Sequence, residues 1–516
     1  MPNLNTRSHF WLLIIYFTLF IFCLLRIVII SFPDLLVEEA YYWNYAQHLD
    51  FGYLDHPPMV ALLIKASTSI LGTNELGVRI FAFFCWLLTA FFSFKLTNLI
   101  SRGSGLYALL LLSILPFYFI QSLFMTPDDP LLVCWGAALY CLYCALVLKK
   151  EKHWYAAGIW IGLGMISKYT ILILGPTTLI YLCIIPSARF WFKRKEPYIC
   201  ALIALLLFTP VIYWNAKHEW ASFLFQGTRR VAAPFHFTFH QFMGELILFL
   251  MPLGVIGLWY LFKKKEQDKH LSNQPESLRF IQLYTAVPLI FFALFSISHE
   301  IKFNWIGPSL LAIIPWLAIL IGKSPKEAGS NTCIGWLIGS VFLFICYGLT
   351  IACIISGRPP VVFDHVFQKF IDWGNLTQQF NVIAAKLSQK THSTPIFVPL
   401  DAYNVASELS FYQAKLFSHQ KIHHTYPVIG RHIFGEDSLM YRYWSNTTIE
   451  NIPPTTTLIL ISEHHKPFSF PLIKQLTNNK TPIHSVWAYT QGGKKRVKKY
   501  YYQIVKIPDF KQTPVK

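Results

Sequence analysis

The chain has 516 residues, of which 54% are apolar and only 14% charged, with a mean hydropathy of +0.43 and a formal net charge of +18. Soluble domains carry about a quarter charged residues, so the composition points to a polytopic membrane protein and excludes an ordinary soluble enzyme. The basic residues stand in short segments between apolar runs, the pattern of membrane topology, which argues against nucleic acid as a partner.

Hydropathy gives eleven candidate spans, near 10–30, 79–98, 106–121, 131–148, 154–166, 170–186, 198–214, 243–262, 281–297, 304–322 and 333–356. The run from Phe10 to Ile30 lacks a small-residue cleavage site and reads as an uncleaved first span. The fifth segment is short, and a single long span over 154–186 is the competing parse, with Ser167–Lys168–Tyr169 at its middle. Charge decides between them. With eleven spans, Arg7, Arg102, 149-KKEKH-153, 189-RFWFKRKE-196, 262-FKKKEQDKH-270 and 323-KSPK-326 all fall on one side, which the positive-inside rule makes cytoplasmic. The expected topology has the N-terminus inside and the C-terminus outside. The loops 31–78, 122–130, the Lys168 turn, 215–235 and 299–305 then face outward. They hold nearly all the acidic–aromatic and mixed-charge motifs before residue 357, a convergence expected of an active site.

The ten cysteines lie in or at the edge of apolar spans, with none after Cys353, and read as small hydrophobes in helices. Beyond Ile355 the chain turns polar. The stretches 395-PIFVPL-400 and 456-TTLILIS-462 read as buried strands, 403-YNVASELSFYQAK-415 as an amphipathic helix, and 486–507 as two strands around a Gly-Gly turn with a basic tip. The expected architecture is a helical membrane domain over 1–356 and a soluble periplasmic α/β domain over 357–516.

The chemistry-bearing motifs follow the same order. In 37-VEEAYYWNYAQHLDFGYLDHPPM-59, Glu38 and Glu39 open a helical stretch rich in rings, among them Tyr41 and Tyr42. Adjacent carboxylates point to different sides of a helix, so one can serve as general base; the plainer reading is solvated acids in an interfacial aromatic belt. Asp55 can hold substrate hydroxyls, and His56, before Pro57 and Pro58, either binds substrate or fixes a turn. In 126-TPDDPLL-132, Asp128 and Asp129 stand where a helix dipole favours acids, and equally where they can bind a polar substrate. Lys168, Arg229, Arg230 and Lys302 are cations on the outer side, against the bias. They suit phosphate oxygens, or pair with Glu219 and Glu300. Arg26, near the outer end of the first span, reads as a snorkelling side chain. No Gly-rich phosphate loop appears, so a soluble nucleotide donor is not expected. Carboxylates, phosphate-binding cations and rings suit group transfer from a lipid phosphate. No cofactor is required, although paired acids can hold a divalent metal.

Taken as a set, 38-EEAYYWNYAQHLDFGYLDHPP-58, 126-TPDDPLL-132, 161-IGLGMISKYT-170, 213-YWNAKHEWASFLFQGTRR-230 and 302-KFNW-305 resemble bacterial relatives of the dolichyl-phosphate-mannose protein mannosyltransferases, a superfamily that includes the lipid A aminoarabinose transferases. The resemblance runs through residues 10–350. It implies a GT-C-type glycosyltransferase that takes a sugar from a polyprenyl-phosphate carrier, with inversion, and passes it to a periplasmic acceptor: a lipid A-like glycolipid, a polysaccharide or a protein. In the family the first acid of the pair is an Asp acting as base; here that position is Glu38, one methylene longer. The second acidic motif corresponds to Asp128. Lys302 and the arginines of 228-TRR-230 become candidates for the carrier phosphate, with Lys168. Two other readings stay open. A transporter or flippase for lipid-linked glycans would place ionisable residues at mid-membrane on broken helices, where this chain has almost no acids. A non-catalytic binder of lipid carriers is kept open by Glu38.

Overall fold

The computed structural model describes residues 4–228, 232, 234–252, 254–263, 271, 274–322, 330–356, 371–477, 481–491 and 495–508. The chain forms two compact units. The first comprises Met1–Ile29, Asp50–Val60 and Arg79–Gly348, the second Ile30–Leu49, Ala61–Val78 and Leu349–Lys516. The first outer loop is thus divided between the units, where composition alone suggested one boundary near residue 356.

In the first unit each expected apolar segment corresponds to a helix or a pair of helices. The segment at 79–98 lies in Glu75–Ile100, 131–148 in Asp128–Leu146, 198–214 in Glu196–Lys217 and 281–297 in Pro275–Ser296. These four are, among the described residues, the helices long and apolar enough to cross a membrane; two bent pairs raise the number to six if each is one span. Others are interrupted. The segment at 106–121 breaks before Pro116 into Gly105–Ile114 and Pro116–Gln121, as expected where proline disfavours helix at the preceding residue. The region 154–186 is not one helix: Lys152–Met165 ends, Lys168 is extended, and a 3-10 turn at Tyr169–Ile173 leads into Leu174–Ile184.

Close packing here depends on glycine. Lys152–Met165 packs on Glu196–Lys217 and on Asp128–Leu146. A Cβ at Gly158 would stand 2.5 Å from the backbone oxygen of Cys200, so only a residue without a side chain lets the backbones approach. Arg26 does not snorkel. It is fully buried, donating to Ser122 Oγ at 2.6 Å, Ser113 O at 3.0 Å and Phe22 O at 3.1 Å. Its guanidinium carbon lies 4.1 Å from the Trp86 ring centre, a cation–π contact. Polar partners inside the protein outweigh the pull of the interface.

The second unit is built on a four-stranded sheet: β1 (Ile396–Pro399), β2 (Thr457–Ser462), β3 (Ile483–Tyr489) and β4 (Arg496–Lys506), in the order β1-β2-β4-β3. β1 and β2 run parallel, and β4 is antiparallel to both β2 and β3. Every residue of β2 is buried, which its unbroken apolar run requires of a strand covered on both faces. The expected helix is present at Asn404–Ser418, and a second, Trp373–Thr391, packs on it and on β3. The latter is capped by the Asp372 carboxylate, which accepts from Asn375 N at 2.8 Å. The tip of the expected hairpin, 492–494, lies outside the described residues.

The helix Val37–Gln47 belongs to this unit and packs on Asn404–Ser418. Its residues from Glu39 to Ala46 are all buried, so its rings serve a protein core.

Candidate active site

In the first unit the motifs converge on a buried ion pair. Lys168 Nζ donates to both oxygens of Asp128, at 2.7 and 2.9 Å. The two side chains are only 8% and 2% exposed. Asn304 Nδ2 also donates to Asp128 Oδ2. Three separate motifs therefore meet at one carboxylate. Each is positioned by a local break. Asp128 opens its helix, and Lys168 sits in the extended link after Lys152–Met165, its N–H donating to Gly164 O at 2.8 Å. Asn304 stands in the turn before the 3-10 helix Gly307–Ile313. A charge this buried is tolerated when paired and hydrogen-bonded.

Asp129 does different work. Its Oδ2 accepts from Thr126 N at 2.7 Å, Thr126 Oγ1 at 3.1 Å and Gln121 Nε2 at 3.2 Å, tying the preceding turn to the helix start. The adjacent acids thus divide into one paired with a cation and one holding backbone.

A second polar patch in this unit surrounds 50-DFGYLDH-56. Trp214 Nε1 donates to Asp50 Oδ2 at 2.9 Å, and Gly52 is pressed against the Trp214 ring, where a Cβ would meet ring atoms at 3.0 Å. Gln226 Nε2 donates to the Asp55 carbonyl, and the Asp55 carboxylate lies within electrostatic range of Tyr169. Tyr169 Oη is 2.9 Å from Ser222 Oγ, while Asn215 Oδ1 accepts from Ser222 N and Phe223 N at 3.1 and 3.2 Å. Asp55 and His56 are both half-buried. Lys302 is not drawn into these clusters; its Nζ pairs with Glu300 Oε1 at 2.8 Å, and both side chains are more than half exposed. Arg229 and Arg230 lie outside the described residues.

The remaining site candidates belong to the second unit. Glu39 is fully buried, and its Oε2 accepts from Leu36 N at 2.9 Å, closing the first turn of Val37–Gln47. Glu38 is exposed, and among the described residues no hydrogen bond or ion pair holds its carboxylate. Tyr41 Oη accepts from Met440 N at 3.2 Å, and its ring lies 4.5 Å from that of Tyr403. Tyr42 stacks edge-on to Tyr45. Both tyrosines are buried in the protein.

Sequence reasoning missed Asn304, Asn215 and Gln226. All three lie inside the quoted motifs, but an amide carries no charge to mark it. Among the described residues no group of three His, Cys, Asp or Glu side chains could hold a metal ion.

Residues 55–214 match the family described as dolichyl-phosphate-mannose-protein mannosyltransferase. Among curated proteins, the lipid A galacturonosyltransferase RgtD of Rhizobium johnstonii is 28% identical over 206 residues, 38% of this chain and 42% of that protein. The chain spans less than half the length of the curated relatives it matches, 42% and 45%. Among solved structures, ArnT from Cupriavidus metallidurans in the apo state superposes with a TM-score of 0.62 at 11% identity, over 99% of this chain and 100% of that one. The same enzyme bound to undecaprenyl phosphate gives 0.60 at 12% identity, over 96% and 98%. At these identities the likeness is one of fold.

Proposed function

We propose that this chain, which resembles the GT-C-type glycosyltransferases in its matched segment and its fold, is a multi-pass membrane transferase that moves a sugar from a polyprenyl-phosphate carrier to an acceptor hydroxyl on the periplasmic face of a bacterial inner membrane. The observation that carries the reading is the buried Asp128–Lys168–Asn304 constellation, assembled from three motifs of the resemblance. Support for a lipid-linked donor comes from the undecaprenyl phosphate bound by the structural relative, and for a glycolipid acceptor from the lipid A named for the curated one.

The proposed reaction is an inverting displacement. The acceptor oxygen attacks the anomeric carbon, the bond from that carbon to the phosphate oxygen breaks, and polyprenyl phosphate leaves with the electron pair. Glu38 takes the acceptor proton as general base. Its exposure suits that role better than the engagement of Glu39 with Leu36 N–H does. Asp128, fixed by Lys168 and Asn304, holds sugar or acceptor hydroxyls, and Asp55 and His56 line the same chemistry. Lys168 holds Asp128 and contributes positive charge toward the departing phosphate, with Arg229, Arg230 and Lys302 as further candidates. No metal enters this scheme.

The test is a transfer assay on the purified full chain, scoring both product and released carrier phosphate from a labelled polyprenyl-phosphate sugar. Glu38→Gln and Asp128→Asn are each expected to lose at least about a hundredfold, the first as the loss of a general base and the second as the misplacement of a bound hydroxyl. Glu39→Gln, which keeps an acceptor for Leu36 N–H, is expected to retain most activity. Full transfer by Glu38→Gln overturns the base assignment; no consumption of any carrier-linked sugar with any acceptor overturns the reaction.

A further inference from the structure

The second unit contains a cavity of about 350 Å³ that no residue of the proposed mechanism lines. That is the size range of small-molecule sites. Its wall is formed by residues from Val37–Gln47, from Asn404–Ser418 and from the segment 425–445.

Three properties define what it can take. First, none of its lining side chains is Asp, Glu, Lys or Arg, so it offers no counter-charge to a phosphate or a carboxylate. His48, at its edge, has its pKa pushed down by burial and presents a neutral imidazole at neutral pH. Second, Trp444 forms an aromatic wall that is held in place. It is half-buried and meets Tyr441, Tyr45 and His48 edge-on, at 5.1, 5.7 and 4.8 Å between ring centres. Third, Asn44 presents an unused acceptor. Its amide nitrogen donates to Ala40 O at 2.8 Å and Ser407 O at 3.3 Å, which fixes the orientation of the carboxamide. Its Oδ1 then finds no donor among the described residues, on a side chain only 5% exposed. The atom is not fully enclosed, so a ligand hydroxyl entering the cavity can donate to it.

A flat aromatic wall with neutral donors and acceptors, and no charge, matches a sugar ring, which has an apolar C–H face and a hydroxyl rim. We propose that this cavity is a binding site for a neutral saccharide unit, seated on Trp444 and hydrogen-bonded to Asn44. The assignment of that saccharide to the acceptor glycan rests on the transferase reading; the binding itself does not.

The experiment is saturation-transfer NMR on the full chain in detergent, with methyl glycosides of neutral hexoses as probes and methyl glucuronide and inorganic phosphate as charged comparators. Transfer to neutral glycosides is expected in the wild type. Trp444→Ala is expected to weaken it about tenfold, the loss of roughly 1.4 kcal/mol of ring contact. Because Trp444 also packs on Tyr441, a second variant is needed: Thr425 is exposed at the rim, and Thr425→Trp fills the mouth without touching the core. It is expected to abolish transfer at an unchanged melting temperature. No transfer from any neutral glycoside, preference for the charged comparators, or wild-type binding by both variants overturns the proposal. Turnover of a polyprenyl-phosphate sugar in the same preparation separates the two readings. Turnover without glycoside binding sinks the cavity alone, whereas binding without turnover supports the cavity and counts against the transferase.

Discussion

Asp34 makes the second unit sensitive to pH. It is partly buried, accepts from Trp373 N at 2.9 Å, and has its pKa raised from 3.8 to about 7. Burial is the largest cause, followed by the carboxylates of Glu75 and Asp372; Lys415, whose Nζ is bound to Glu75 at 2.5 and 2.7 Å, offsets this only in part. Between pH 3.8 and about 7 the folded state holds a proton that the unfolded chain has released. The contribution to stability is therefore full below about pH 4 and is lost as pH rises toward 7. A shift of about three units at 1.36 kcal/mol each corresponds to about 4 kcal/mol. Asp34→Asn keeps an acceptor for Trp373 N–H and removes the ionisation. It should melt with the wild type near pH 4 and well above it at pH 8, by on the order of 10 °C. The assay is the melting temperature of the full chain in detergent across that range, variant against wild type. Parallel curves, or a variant that is the less stable at pH 8, would refute the reasoning.

Other substitutions probe the first unit. Lys168→Met strands the Asp128 carboxylate and should cost about 3–5 kcal/mol, while adding Asp128→Asn should restore part of it, a coupling readable in a double-mutant thermal cycle. Simple additivity would mean that the pair is not an energetic unit. Gly158→Val places side-chain carbon against the Cys200 carbonyl and should cost at least about 1–3 kcal/mol, lowering yield and melting temperature; a neutral effect would mean that the two helices pack less closely. Arg26→Lys should fail to match the wild type in the same assay, because an ammonium cannot reach Ser122, Ser113 and Phe22 together as the guanidinium fork does.

Much of the scaffold was legible from residue pattern. The apolar segments marked helices, and the polar interruption at Ser167–Lys168 marked a real break. The short, continuous apolar runs with β-branched residues at 395–400 and 456–462 marked buried strands. Two of the longer helices escaped. Met59–Leu71 is apolar but too short to read as a span, so it disappeared into the outer loop. Trp373–Thr391 buries Trp373, Leu376, Phe380 and Ala384 at helical spacing, yet its polar majority hid the stripe. For the site, charge was a partial guide. It found Asp128 and Lys168, which the fold brings together across 40 residues, but ranked Lys302 above Asn304 two positions on. A local pair such as Lys302–Glu300 and a long-range one look alike in sequence. Only the fold tells which partner is near.

The helix Val37–Gln47 has a consequence for how the chain is made. Around it, Leu35 N donates to Tyr412 Oη at 2.9 Å across 377 residues, and Met440 N to Tyr41 Oη across 399. At about 5–20 residues per second, a ribosome needs roughly 20 to 75 s to deliver the first of these partners. For that interval a helix dense in tyrosine and tryptophan has been synthesised but its cover has not. The nascent chain therefore carries an uncovered aromatic surface through most of its synthesis, and a stalled or truncated product ending before residue 400 would keep it permanently. Such fragments should be the ones that quality-control proteases and holding chaperones recognise first.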